Sequence, residues 1–152
     1  MSHSETFRKQ LSFALEKHLT INDVINDLRT FWVEVSELGC GPRYEEMSIR
    51  LDEFQKILSA HFLEEEQLFK KIEDVGDSSA CDRVQCLRDE HAEFLERLVD
   101  DSERLNCNCE SFSNWDWIHD EIDDLINRMA AHEAEENALI HQFLKSEKIS
   151  KC

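Results

Sequence analysis

Three glycines and one proline are all that 152 residues offer for tight turns. That scarcity argues against a β architecture with its many short connections and leaves helices as the main element. Positive charge is scarce too, with 17 Lys and Arg against 34 Asp and Glu and a formal charge of −17. Such a surface repels phosphate backbones and anionic bilayers, which argues against nucleic acid and membrane as partners. No apolar run approaches the roughly 18 residues of a membrane span, and Met1 to Gln10 is polar with no apolar signal core. A cytoplasmic protein is expected. Cys40, Cys81, Cys86, Cys107, Cys109 and Cys152 are then expected as free thiols rather than a disulfide frame.

The length fits one domain, residues 1–152, with a core of its own. Three breaks divide it: Gly39-Cys40-Gly41-Pro42, Gly76-Asp77-Ser78-Ser79, and a polar stretch from Asn106 to Ser113. Four segments remain, which predict helices over about 12–38, 44–74, 79–105 and 113–146, with Ser113 and Asp116 as an N-cap signal for the last. Short connections make neighbouring helices antiparallel, giving an all-α, up-down-up-down four-helix bundle.

Each segment carries an apolar stripe that steps by four and three, as one face of a helix does. In the second the stripe is Met47, Leu51, Phe54, Leu58, His61, Glu65, Leu68 and Ile72. In the fourth it is Trp115, Ile118, Ile122, Leu125, Met129, His132, Glu136, Leu139 and Phe143. The first runs His18, Ile21, Ile25, Leu28, Trp32 and Val35; the third runs Val84, Leu87, His91, Phe94 or Leu95, Leu98 and Leu105. The polar interruptions therefore read His, His-x-x-x-Glu, His, His-x-x-x-Glu. This is a repeat of two hairpins related by a pseudo-twofold axis.

A carboxylate in an apolar seam without a partner costs several kcal/mol, so Glu65 and Glu136 need a reason to be there. A single seam histidine is commonly a hydrogen-bonded core residue, but six polar residues on four seams converge on one point. At i and i+4, each His-x-x-x-Glu pair directs two donors the same way. Imidazole and carboxylate without thiolate suit Fe, Mn or Zn, and six donors exceed one tetrahedral zinc. Two metals bridged by carboxylates account for them better. Ferritin-like di-iron bundles require Glu-x-x-His, whereas Leu15, Leu58, Arg88 and Met129 stand three positions before the four histidines here. His3, His119 and His141 read as surface residues. Glu64, Glu66, Glu133 and Glu135 flank the seam and read as solvated, with Glu64 or Glu135 placed to swing in as an extra ligand.

The set resembles the hemerythrin-like (HHE cation-binding) family. The matching stretches are Glu16-Lys17-His18-Leu19, His61-Phe62-Leu63-Glu64-Glu65, Glu90-His91-Ala92-Glu93-Phe94-Leu95 and His132-Glu133-Ala134-Glu135-Glu136. The resemblance implies two iron ions, Fe2+ or Fe3+, joined by an oxo or hydroxo bridge. His18 and His61 would bind one, His91 and His132 the other, and Glu65 and Glu136 would bridge them. Oxygen-carrying members have His-x-x-x-His on the third helix; here Leu95 stands at that place. Lacking that imidazole, both irons would be five-coordinate with an open position, unlike the simple oxygen carriers.

Two functions follow from that resemblance. The first is a non-haem di-iron protein that binds or senses dioxygen, nitric oxide or iron itself. The second is an oxidase- or peroxidase-type enzyme activating dioxygen or peroxide at two open positions. A purely structural bundle leaves the seam carboxylates without a reason. Cys107-Asn108-Cys109, in a polar loop, reads as incidental to the site.

Overall fold

The computed structural model describes residues 3–38, 42–106 and 115–149. Four helices account for nearly all of them: α1 (His3–Leu38), α2 (Pro42–Val75), α3 (Ser78–Leu105) and α4 (Trp115–Ile149). Each packs against two neighbours, α1 and α3 both lying between α2 and α4. The pairings are antiparallel. Phe7 meets Phe143 edge-on while Trp32 meets His119; Glu66 pairs with Arg88 while Ser48 pairs with Ser102. The chain forms the expected all-α antiparallel bundle.

Two residues turn α2 into α3. A Cβ on Gly76 would lie 2.7 Å from the Ile72 carbonyl oxygen and 2.8 Å from the Ala80 Cβ, so only glycine fits there. Asp77 follows with extended backbone and accepts the Ala80 N–H at 2.9 Å, capping α3. The expected breaks at Gly39 to Gly41 and Cys107 to Ser113, with the Ser113 cap, lie outside the described residues.

The first helix starts at His3, well before the position near 12 that the polar N-terminus suggested. Phe7, Leu11 and Ala14 are buried against α4 residues Leu139 and Ile140, with Phe143 packed alongside. Two large apolar residues four apart therefore anchor two extra turns in a stretch whose average composition is polar.

The stripes face inward, and the core they build has two parts. One apolar cluster runs from Ile21 through Phe54 and Leu98 to Met129; the other gathers Leu11, Phe69, Ile72, Val84 and Leu139. A fully buried residue of this kind contributes about 1.5–3 kcal/mol. Between the clusters, buried His18, His61, Glu65, His91, His132, Glu133 and Glu136 contribute nothing of that sort. The fold surrounds this polar layer with enough apolar packing to carry its cost.

Candidate metal centre

Every helix contributes to the layer: His18 from α1, His61 and Glu65 from α2, His91 from α3, and His132, Glu133 and Glu136 from α4. The Nε2 atoms converge on the carboxylates. Glu65 approaches His18 at 3.0 Å, His61 at 2.9 Å and His91 at 3.5 Å. Glu136 approaches His18 at 2.9 Å and His91 at 3.0 Å, and also contacts His132. Each of these two carboxylates thus touches histidines from both hairpins. All six residues singled out by the stripe pattern meet at one place.

The outward ring nitrogens are held as well. Nδ1 of His18 donates to Asn137 Oδ1 at 2.7 Å, and Nδ1 of His132 donates to Glu90 Oε1 at 3.0 Å. With Nδ1 protonated outward, Nε2 is the nitrogen left to bind a cation. Phe62 stacks on His91 with ring centres 3.6 Å apart, and Phe69 and Phe94 cover the same side near His91 and His132. Water is kept from that half of the layer by aromatic rings.

The charges balance only with added cations or protons. Burial works to lower the His18 pKa, but the Glu136 and Glu65 carboxylates beside it push it up to about 11. His132 is likewise pushed to about 9, against burial, by Glu136 and Glu90, and His61 is raised against burial by Glu65. Burial and the neighbouring Glu136 charge push Glu133 up to about 7. Burial opposes ionisation of Glu136, yet hydrogen bonds from its neighbours hold it well below the usual carboxylate range.

Metal ions fit this donor set. Nε2 of His61 and His132, Oε1 of Glu65, and Oε2 of Glu133 and Glu136 are buried and make no well-aligned hydrogen bond, although several lie within contact distance of one another. Atoms so arranged face a common centre rather than each other. Two sets of residues each bring ligand atoms within 4.8 Å of one another, His18, His61, Glu133 and Glu136 in one and His91, His132 and Glu136 in the other; Glu65 falls in neither set and joins the layer through its contacts with the histidines. Nitrogen and oxygen donors at this density suit first-row transition metals.

The position after His132 differs from expectation. Glu133, read from sequence as solvated, is buried with an oxygen 3.5 Å from His18 Nδ1. Ile126 and Ile140, seven residues to either side, are also buried. A second apolar line on α4, Ile126-Glu133-Ile140, was the signal that the single stripe concealed. Glu64 and Glu135 are exposed, as their reading as solvated residues expects, and pair with Lys17 and Arg83 rather than swinging in. Glu66 pairs with Arg88.

His141 is exposed as expected, whereas His119, read as a surface residue, is half-buried beside Trp32. Leu95 is only partly buried, packed against the cluster that contains Phe54 and Leu98, while its neighbour Phe94 is buried and meets His132 edge-on. Cys81 and Cys86 are free thiols, the other cysteines lying outside the described residues. No described helix is long and apolar enough to cross a membrane.

The family model for the hemerythrin HHE cation-binding domain matches residues 11–144, which include every residue of the layer. Comparison with curated proteins and with solved structures gives no match.

Proposed function

Because the chain belongs to the hemerythrin HHE cation-binding domain family, we propose that its core holds two iron ions and binds or senses dioxygen or nitric oxide there. His18 and His61 hold one ion and His91 and His132 the other. Glu65 and Glu136 span the two, with an oxo or hydroxo bridge completing the pair. The observation that carries this reading is that Glu65 and Glu136 each lie within contact distance of histidines from both hairpins. A lone metal would not need two carboxylates placed between two histidine pairs.

A pair of iron ions supplies reversible redox chemistry and coordination positions for small ligands. The chain supplies the rest. Asn137 and Glu90 hold the Nδ1 protons of His18 and His132, so both rings present Nε2 inward. Phe62, Phe69 and Phe94 keep water from the His91 and His132 side.

The two donor groups are unequal among the described residues: His18, His61, Glu133 and Glu136 form one, and His91, His132 and Glu136 the other. On this reading the pair is asymmetric rather than equal, with Glu133 on the His18 and His61 side. Asymmetry favours ligand binding at one ion over bridging turnover at two. The second reading, an oxidase- or peroxidase-type enzyme, draws support from a cavity that reaches His61 and Glu65 from the surface.

Metal analysis of protein loaded with ferrous iron under argon tests the reading, with two ions per chain expected and oxo-bridged ferric absorption in the near ultraviolet after exposure to air. One ion per chain at saturation would overturn it. Repeated oxidation cycles with an added electron donor would select the enzyme.

A further inference from the structure

His18 and His132 are oriented through Nδ1 by Asn137 and Glu90. His91 is gripped on its ring faces. The Phe62 ring lies 3.6 Å away, centre to centre and 5° from parallel, and the Phe69 ring lies 5.3 Å away at 23°. These two phenylalanines are seven positions apart on α2, which is about 10 Å of helix and leaves room for one ring between theirs. His91 fills that room. Both phenyl rings are buried, so the grip is made inside the core.

The stack continues one step further. Arg88 stands three residues before His91 on α3, on the same helix face. Its guanidinium carbon lies over the Phe69 ring, 5.9 Å from the centre, within the range of a cation–π contact. The order along the bundle is therefore Phe62, His91, Phe69, Arg88, supplied alternately by α2 and α3. Arg88 is held in turn by two carboxylates of α2. Its Nε donates to both oxygens of Glu66 at 3.1 and 3.0 Å, and its Nη1 and Nη2 donate to Glu73 at 3.2 and 2.8 Å. Glu66 and Glu73 stand three positions before and four after Phe69, so the carboxylates straddle the ring that the guanidinium covers. Forked pairing of this kind fixes direction as well as distance. With Phe69 backed by Arg88, the His91 ring keeps Nε2 turned to Glu136 at 3.0 Å and to Glu65 at 3.5 Å.

We propose that Arg88 is a positioning residue of the metal centre, acting through Phe69 to hold the His91 imidazole between two phenyl rings with Nε2 aimed at the bridging carboxylates. The metal part of this role rests on the di-iron reading. The stack itself is built by the chain alone.

The test has one readout without metal and one with it. In the metal-free full chain at fixed pH, the His91 ring protons are followed by NMR and assigned by their loss in His91→Gln. Two stacked phenyl rings should shift these protons upfield in the parent protein. Arg88→Met and Phe69→Leu should each move them back toward the unstacked position. Arg88→Lys, which keeps the cation but not the fork, should fall between. In protein loaded with ferrous iron, retention against a chelator should drop by about tenfold in Arg88→Met and in Phe69→Leu. The double variant should retain iron as Phe69→Leu alone does, because the arginine acts through the ring. Arg97→Met is the control, since Arg97 ties α3 to Glu121 and Asp124 of α4 and touches neither phenylalanine. It should lower Tm and leave the His91 protons in place. The same pattern in Arg88→Met, a lower Tm with His91 protons and iron retention as in the parent, would reduce Arg88 to a strap between helices and overturn the proposal. If Arg88→Met does not fold, unchanged His91 shifts in both Arg88→Lys and Phe69→Leu overturn it equally. Iron content at saturation is read separately: a stacked His91 in a parent chain that does not hold two ions sinks the di-iron reading and leaves the stack standing.

Discussion

His18 and Asn137 are joined by a 2.7 Å hydrogen bond from Nδ1 to Oδ1, tying the middle of the bundle's first helix to its last across 119 positions of chain. The bond fixes both the tautomer and the tilt of the His18 ring. Groups that orient a metal-binding histidine typically set metal affinity by about 10- to 100-fold. Asn137→Leu should therefore weaken metal retention by that order in chelator competition, while stoichiometry at saturating metal stays at two. Unchanged affinity in Asn137→Leu would mean that the ring is held by packing alone.

The carboxylates divide into bridging and outer positions, and substitution separates them. Glu65→Ala or Glu136→Ala removes an oxygen donor shared by both histidine pairs and should release metal. Glu133→Ala should lose metal more mildly, since this carboxylate approaches one pair only. Glu64→Ala should change little, because its side chain is 58 % exposed and faces Lys17. Metal loss in Glu64→Ala equal to that in Glu136→Ala would show that the wrong carboxylates have been chosen.

The seam pattern was legible because a buried His-x-x-x-Glu stands out against apolar neighbours at helical spacing. All six residues it named lie in the layer. Glu133 escaped because its burial depends on which flank of α4 meets α1, a matter of helix rotation that one stripe does not determine. The third stripe also skipped from Leu98 to Leu105. The structure fills that gap with buried Asp101 and Ser102, the latter hydrogen-bonded to Ser48 and to Asp52. A serine satisfied across two helices, as Ser102 is by Ser48 and Asp52, looks like a solvent-facing residue in one dimension. The early start of α1 was hidden for a related reason, two apolar anchors in a polar decapeptide.

Stability should depend on pH in opposite ways with and without metal. In the metal-free protein burial alone would lower the pKa of His18 and His132, but neighbouring carboxylates hold them up to about 11 and about 9. A folded-state pKa above the unfolded value gives stability that is complete below about pH 6.5 and is lost as pH rises through the folded value. The Tm of metal-free protein should therefore fall steadily between about pH 6 and pH 10. Metal binding needs the same imidazoles deprotonated, so metal affinity should rise over the lower part of that range. A metal-free Tm that climbs through it would contradict the cluster's geometry.

The third helix offers the sharpest test of register. Leu95, one turn beyond His91, occupies the sequence place of the missing imidazole, yet Phe94 is the residue whose ring meets His132, at 5.2 Å between centres and 90°. Leu95 packs against the apolar cluster of Phe54 and Leu98 and is only partly buried. The face of His91 is already taken by Phe62. Leu95→His should therefore leave the metal stoichiometry and the ferric absorption spectrum as they were. Phe94→His places an imidazole at the buried position beside His132 and should alter that spectrum. Removing a buried Phe costs about 3–5 kcal/mol when it is cut to Ala, so Phe94→His should also lower Tm in the metal-free protein and recover part of the loss on metal loading. A changed spectrum in Leu95→His, with none in Phe94→His, would show that α3 is rotated from the position described and that position 95 supplies the missing donor after all.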